Sequence, residues 1–142
     1  MSEEVVSADS VRLAAIQLCS GADRAANLRA AAHLVREAAD CGCEVACLPE
    51  MWPFIGADAE KVAGAEDLDG PSINAMRKLA VELGLWIFAG SFAERSDLPG
   101  RVYNSSPVIA PTGEVVAVYR KIHLFDIEMA AGPSFRESAT VT

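Results

Sequence analysis

The chain has 142 residues, of which 51% are hydrophobic and 23% charged, and its formal net charge is −8. This composition is typical of a globular domain with a buried core, and the negative charge argues against binding to nucleic acid or to anionic membranes, which both require a basic surface. The acidic first residues are not followed by the apolar segment of a secretory signal, and no apolar run reaches the ~18 residues that span a bilayer. We therefore expect a cytoplasmic protein.

Apolar periodicity predicts alternating strands and helices after a disordered acidic lead at residues 1–10. The predicted helices cover residues 22–40, 58–64 (one or two turns) and 72–84. The predicted strands cover residues 11–19, 44–48, 85–91, 102–109 and 114–120. Two polar or irregular segments, 94–100 and 130–137, are expected to be loops, and residues 138–142 are expected to begin another β-prone run.

The order β-α-β-α-β-β-β predicts an α/β fold in which helices cover one face of a mixed sheet that ends in a hairpin. The strands are apolar on both faces, which is typical of strands buried on both sides. We therefore expect a second covering layer beyond these predicted elements.

A carboxylate directly follows the second predicted strand, in the segment Cys47-Leu48-Pro49-Glu50-Met51-Trp52. Pro49 cannot donate to a β-ladder and ends the strand, and ligands bind at the carboxyl ends of strands in open α/β sheets. If Trp52 and Phe54 shield Glu50 from water, its carboxylate is suited to act as a general base. The alternative is a surface glutamate that happens to follow a strand.

Lys121 occupies the equivalent position after the strand predicted at 114–120. If the two strands run in the same direction, Glu50 and Lys121 leave the sheet at one edge, where an ammonium group can stabilise an oxyanion and a carboxylate can accept a proton. Glu137 is within reach of the same edge, with Asp126 and Glu128 as rivals. The alternatives are an exposed surface lysine and, favoured by spacing alone, a solvated loop charge at Glu137.

The four cysteines are predicted to be buried, reduced thiols. They are Cys19, Cys41, Cys43 and Cys47. Cys41 and Cys43 are too close together for a usual zinc pair, and no second pair of Cys or His residues answers them. We therefore expect neither a metal nor a cofactor.

Several segments together resemble the nitrilase superfamily of carbon–nitrogen hydrolases. They are Leu48-Pro49-Glu50, the run Val-Tyr-Arg-Lys-Ile-His-Leu-Phe-Asp at 118–126, Phe135-Arg136-Glu137-Ser138, and shorter similarities at 16–18, 90–92 and 103–104. The resemblance covers nearly the whole chain from about Val11, and the run at 119–126 is most similar to the branch that acts on small ω-amide acids and deaminated glutathione. It implies that residues 11–142 form a partial domain, the amino-terminal half of an α-β-β-α sandwich.

Members of this superfamily hydrolyse amides or nitriles with a Glu-Lys-Cys triad. The resemblance implies that Glu50 is the general base, Lys121 the catalytic lysine and Glu137 a second carboxylate near the triad. The nucleophilic Cys of the family lies beyond the lysine, whereas all four cysteines of this sequence precede Lys121. We therefore expect the isolated chain to be inactive as an amidase.

The expected partners are a small-molecule amide substrate and either further copies of this chain or a complementing carboxyl-terminal half. One alternative function is a non-catalytic binding or assembly module derived from the same fold, since an unfinished apolar sheet favours self-association. The other is an unrelated α/β domain in which Glu50 and Lys121 lie far apart.

Overall fold

The computed structural model describes residues 10–130, 132 and 134–142. Its helices are α1 (Arg24–Asp40), α2 (Asp58–Ala63) and α3 (Pro71–Leu83), with a 3₁₀ turn at Glu137–Ala139. Its strands are β1 (Leu13–Ala15), β2 (Val45–Cys47), β3 (Trp86–Phe88), β4 (Phe92–Arg95), β5 (Val102–Ile109), β6 (Val115–Arg120), β7 (Asp126–Ile127) and β8 (Phe135–Arg136). The predicted disordered lead, apart from Ser10, lies outside the described residues.

Within the described residues, six strands form one mixed sheet, and β7 and β8 form a separate antiparallel pair. The strands β1, β2 and β3 are parallel neighbours, whereas β5 pairs antiparallel with β3, β4 and β6. The chain direction therefore reverses twice between β3 and β6, so β2 and β6 run the same way. This is the condition under which Glu50 and Lys121 were predicted to share an edge.

Both long helices begin and end at recognisable local signals. The Asp23 side chain accepts a hydrogen bond of 2.9 Å from the Ala26 backbone N–H and caps α1. The helix α3 begins at Pro71, whose missing N–H is not needed in the first turn. It ends at Gly84, whose φ of 67° is the left-handed conformation that favours glycine at this position.

The two long helices cover the same face of the sheet. The core cluster contains residues of α1 and α3 together with Ala46, Ile87 and Ile109, which lie on neighbouring strands. The cross-strand register aligns Ala46 with Ile87 and Ile87 with Ile109, so these three side chains project from one face. The predicted α/β fold with helices on one face of a mixed sheet is confirmed.

The opposite face is apolar and exposed in the described part of the chain, and we call it the open sheet face. Its members alternate with the core-facing positions along four neighbouring strands. They are Leu13, Ala15, Val45, Cys47, Trp86, Phe88 and Val108. The large side chains of Leu13, Trp86 and Phe88 are all exposed there.

Some predicted boundaries were wrong at the start of the chain and around Gly90. The strand predicted at 11–19 is reduced to β1. The strand predicted at 85–91 ends at Phe88, because Gly90 turns the chain with a φ of 57°. The loop predicted at 94–100 starts two residues later in the structure, at residue 96, because Glu94 and Arg95 belong to β4 and pair with β5.

The last segment also differs from the prediction. The loop predicted at 130–137 includes β8, although Ala131 and Pro133 lie outside the described residues. Asp126 accepts hydrogen bonds from the backbone N–H and hydroxyl of Ser138 and fixes a 3₁₀ turn at Glu137–Ala139. The β-prone run expected at 138–142 is therefore limited to Val141, which forms an isolated parallel β-bridge with Val102. Among the described residues, no helix combines the length and apolarity that crossing a bilayer requires.

Candidate active site

Lys121 joins two carboxylates at the carboxyl ends of β2 and β6. Its Nζ lies 3.0 Å from Glu50 Oε1 and 2.9 Å from Glu137 Oε2. Its backbone N–H donates to Asn104 O at 2.9 Å, which extends the β5–β6 ladder one residue past the end of β6. The predicted meeting of Glu50 and Lys121 is therefore observed, and the alternative of an unrelated domain with these residues far apart is wrong.

The loop that carries Glu50 is held by the turn between β3 and β4. Met51, directly after Glu50, has a φ of 49°, which is uncommon for a residue with a side chain. The Met51 backbone N–H donates to Ser91 Oγ at 2.9 Å, and the Ser91 N–H donates to Pro49 O at 3.2 Å. Unfavourable backbone conformations persist where surrounding contacts over-determine them, so these contacts fix the direction in which Glu50 leaves the sheet.

The expected shielding of Glu50 by two aromatic side chains is wrong. Trp52 is fully buried in the core, where its Nε1–H donates to Ala89 O at 2.8 Å, because a buried indole needs a partner for its N–H. Phe54 does line the same cleft as Glu50. The Glu50 side chain is nevertheless 59% exposed.

Glu137 is the buried carboxylate of the cluster, with a side chain that is only 10% exposed. It accepts hydrogen bonds from the Phe125 backbone N–H at 2.7 Å, from Lys121 at 2.9 Å and from Asn104 at 3.2 Å. Burial would raise the pKa of Glu137, but these three donors outweigh burial and hold the pKa below its ordinary value. The expectation from spacing alone, a solvated loop charge, is therefore wrong.

The two rivals of Glu137 have other partners. Asp126 accepts from Ser138, and Glu128 pairs with Arg136. The first contact fastens β7 to the 3₁₀ turn that contains Glu137, and the second fastens β8, which Glu137 directly follows, to the residue after β7. Asp126 and Glu128 therefore help to place Glu137 rather than replace it.

Lys121 is a paired lysine and not an exposed surface one. Its side chain is 25% exposed. Burial would lower the pKa of Lys121, but the hydrogen bonds with Glu137 and Glu50 outweigh burial and raise the pKa above its ordinary value. Lys121 therefore remains an ammonium group at neutral pH.

Asn104 is a member of the site that sequence reasoning missed. It is 2% exposed, and its Nδ2 donates to Glu50 Oε1 at 2.8 Å and to Glu137 Oε1 at 3.2 Å. The segment Tyr103-Asn104 contributed to the family resemblance but received no role. A signal was present, since an amide side chain in the middle of a β-prone run needs hydrogen-bonding partners if it is buried.

A second polar cluster fixes the end of β6 next to Lys121. Arg120 binds the buried Glu94 through two hydrogen bonds, of 2.8 Å from Nε and 2.7 Å from Nη2, and Ser105 also donates to Glu94. Burial would raise the pKa of Glu94, but the bonds from Arg120 and Ser105 outweigh it and lower that pKa. These contacts tie β4, β5 and β6 together where the site begins.

The three predicted site residues open into one cleft of about 370 Å³. Its walls include the apolar side chains of Phe125 and Phe135, whose ring centroids lie 5.9 Å apart. The pair formed by Lys61 and Asp58, with 2.7 Å between Nζ and Oδ1, also lines it. The cleft thus combines charged groups with apolar walls, the usual composition of a small-molecule site.

None of the four cysteines lines this cleft. Cys19 and Cys41 are exposed, and Cys43 and Cys47 are partly exposed, so the prediction of buried thiols was wrong. Burial raises the pKa of Cys47, which disfavours the reactive thiolate form.

Residues 12–142 match the carbon-nitrogen hydrolase family. The chain belongs to that family. It is 37% identical over 144 residues to deaminated glutathione amidase of Homo sapiens, covering 96% of this chain and 44% of that protein. It is 35% identical over 133 residues to omega-amidase NIT2 of Homo sapiens, covering 94% of this chain and 48% of that protein.

Among solved structures, this carbon–nitrogen hydrolase chain is similar to an amidase variant from Nesterenkonia sp. AN1, in which acrylamide has been added at the active-site cysteine. The TM-score is 0.76 at 20% identity, and the match covers 94% of this chain and 49% of that one. The family resemblance, including its omega-amidase and deaminated glutathione amidase branch, is confirmed. The chain spans less than half the length of these relatives.

Proposed function

We propose that this chain supplies the general base and the cation of a thiol-dependent amidase that acts on small linear amides. In this proposal Glu50 is the general base, Lys121 stabilises the oxyanion, and Glu137 is the second carboxylate of the site. The observation that carries the proposal is the position of Lys121 Nζ, within 3.0 Å of both carboxylates at the base of a small-molecule cleft. The amidase relatives support this choice of reaction.

The geometry suits the successive steps of amide hydrolysis. Glu50 takes the proton of a cysteine thiol, and the thiolate attacks the amide carbonyl carbon. The carbonyl π electrons move onto oxygen, where the Lys121 ammonium donates a hydrogen bond to the oxyanion. When the intermediate collapses, the C–N bond breaks and Glu50 returns its proton to the leaving amine. Water then attacks the thioester carbon and gives a proton to Glu50. The C–S bond breaks to release the acid, and Glu50 returns its proton to the thiolate.

Glu50 is better suited than Glu137 to carry the proton in this scheme. Among the described residues, the side chains of Asn104 and Lys121 donate to Glu50, and both bonds fall on Oε1. Oε2 is therefore available to accept a proton, and the exposed position of Glu50 lets a reacting group approach it. Glu137, in contrast, is buried among three donors.

The nucleophile in this proposal comes from outside the 142 residues. Their cysteines do not line the cleft, so the isolated chain should be inactive. The amidase from Nesterenkonia sp. AN1, described with an active-site cysteine, supports the type of nucleophile.

We further propose that a complementing carboxyl-terminal half covers the open sheet face and brings the cysteine. Two observations support this. Leu13, Trp86 and Phe88 form an exposed apolar surface larger than scattered single residues would give. Alternation along β5 places Asn104 on the same face as Val108, so a layer on that face reaches the site.

A non-catalytic assembly module is the second candidate, favoured by the same open sheet face. In that case a second copy of this chain covers the face, and the charged cluster has no chemical role. Light scattering of the purified chain separates the two candidates, because stable dimers would favour assembly. A monomer that binds the complementing half would favour the amidase.

The test is a chimera in which this chain is continued by the part of human omega-amidase NIT2 that it does not cover. The chain alone should not hydrolyse a small ω-amide, whereas the chimera should. Lys121→Met or Glu50→Gln should reduce the chimera's kcat by roughly 10²- to 10³-fold, and Lys78→Met on the exposed side of α3 is the matched control. Turnover by the chain alone, or full activity in the two site variants, would refute the proposal.

A further inference from the structure

Asn104 occupies an unusual position between the charged groups of the site. It lies in β5, opposite Ala93 of β4, and its carbonyl oxygen accepts the backbone N–H of Lys121. Its side-chain nitrogen donates to Glu50 and to Glu137, on one oxygen of each. One residue therefore contacts all three charged members of the cluster.

The chemistry of the amide explains why this residue type fits here. A carboxamide nitrogen has two N–H donors and does not titrate in the pH range in which proteins are folded. Each of its two donors meets a different carboxylate, and hydrogen bonds to ionised acceptors are roughly twice as strong as neutral ones. Asn104 thus compensates negative charge on both sides without adding a charge of its own.

We propose that Asn104 is a positioning residue that assigns different tasks to the two carboxylates. It orients Glu137 as the buried ion-pair partner of Lys121, and it binds Oε1 of Glu50 so that Oε2 is presented to the nucleophile. The inference rests on the proposed function, since it deepens the roles given there to Glu50 and Lys121.

Without such a donor, the balance of charge in the cluster would be unfavourable. Two carboxylates and a single ammonium group leave one negative charge uncompensated. Carboxylates that share a site repel each other, so a neutral donor between Glu50 and Glu137 lowers the cost of holding both beside Lys121. The other charges near the cleft are already paired, Lys61 with Asp58 and Arg120 with Glu94.

The first test uses the unmodified chain and needs no catalytic activity. The two side-chain amide protons of Asn104 are followed by NMR between about pH 3 and 8, a range that spans carboxyl titration. One proton should shift with the ionisation of Glu50 and the other with that of Glu137. Glu50→Gln should remove the first response and leave the second. Amide protons that do not respond to either carboxyl would overturn the proposal.

The second test replaces Asn104 with Asp, which keeps the shape, removes both donors and adds a third carboxylate. The carboxyl titrations of Glu50 and Glu137 should then move upward by about one pH unit or more. Asn74→Asp on α3 makes the same chemical change in a polar network outside the cleft, and it should leave both titrations unchanged.

A purely structural role for Asn104 would lower the melting temperature of N104D without moving these titrations, and that result would also overturn the proposal. If N104D does not fold, the amide-proton titration of the unmodified chain decides. Neither readout depends on turnover, so an inactive chimera would count against the proposed function and leave the positioning role to be judged by NMR.

Discussion

Gly90 lets the turn between β3 and β4 pass directly against the loop that carries Glu50, and Gly90→Ala tests that contact. A Cβ added at Gly90 would lie 2.0 Å from Pro49 O and 2.8 Å from Leu48 C and O. These are backbone atoms, so the clash cannot be relieved by rotating a side chain. One of the two segments must move.

The cost can be worked out in two parts. A side chain in the left-handed conformation costs about 1–2 kcal/mol, and forcing an extra methyl group into a packed region costs about 1–3 kcal/mol. Gly84 provides the matched control, because its φ of 67° is similar but no atom lies within 4 Å of the added Cβ. Gly84→Ala should therefore show the first cost alone.

The assay is urea unfolding of the wild type and both variants, followed by circular dichroism. At a slope of about 2 kcal/mol per M, the second cost corresponds to a midpoint for Gly90→Ala that lies ~1 M below that of Gly84→Ala. Equal midpoints would show that the turn and the Glu50 loop do not press on each other, and the account of how Glu50 is held would then fail.

Three further predictions concern the charged groups. The pKa of Glu137 lies below its ordinary value, so its contribution to stability is complete above the unfolded-state pKa of ~4.3 and is lost as the pH falls through the folded-state pKa. The urea midpoint of the wild type should therefore fall in acid, and that of Glu137→Gln should fall less. Parallel curves of midpoint against pH for the two proteins would contradict this prediction. Lys121→Met leaves Glu137 without its cation and should lower the free energy of unfolding by about 3 kcal/mol at neutral pH. The loss should be smaller in acid, where the uncompensated carboxylate takes a proton. A loss that does not change with pH would contradict the pairing of Lys121 with Glu137. Glu94→Gln removes the ion pair between the buried Glu94 and Arg120 and should lower the free energy of unfolding by about 1–2 kcal/mol. Glu82→Gln, at the exposed ion pair with Arg36, should leave the urea midpoint unchanged within error. Equal losses in the two variants would show that burial does not distinguish the two pairs.

The local signals in the sequence predicted the elements that position the site. The helices predicted at 22–40 and 72–84 correspond to α1 and α3 to within about two residues, and β5 has the predicted bounds at 102–109. The shared edge of Glu50 and Lys121 followed from strand direction, because a strand ending in a polar residue delivers that residue to a known end of the sheet.

The errors came from contacts between segments that are distant along the chain. The break at Gly90 depends on the passage of Pro49 against it, and periodicity within 85–91 carries no trace of that approach. Trp52 was placed beside Glu50 by proximity in sequence, but its N–H finds an acceptor in the backbone of Ala89, directly after β3 and 37 positions away. The burial of Glu137 likewise depends on Phe125 and Asn104, which no local pattern connects to it.

The strand β5 has a consequence for the order in which the molecule is built. The parallel strands and both long helices lie before residue 89 and can associate once that part of the chain is synthesised. In the described structure β4 and β6 both pair with β5, so neither can join the sheet before β5 has been made. Glu50 and Lys121 are 71 positions apart, so at 5–20 residues per second the lysine emerges from the ribosome roughly 4–14 s after the glutamate. The nascent chain therefore spends seconds as a scaffold whose carboxylate has no cation, and within the described residues the charged cluster forms only after the parallel strands and both long helices have been made.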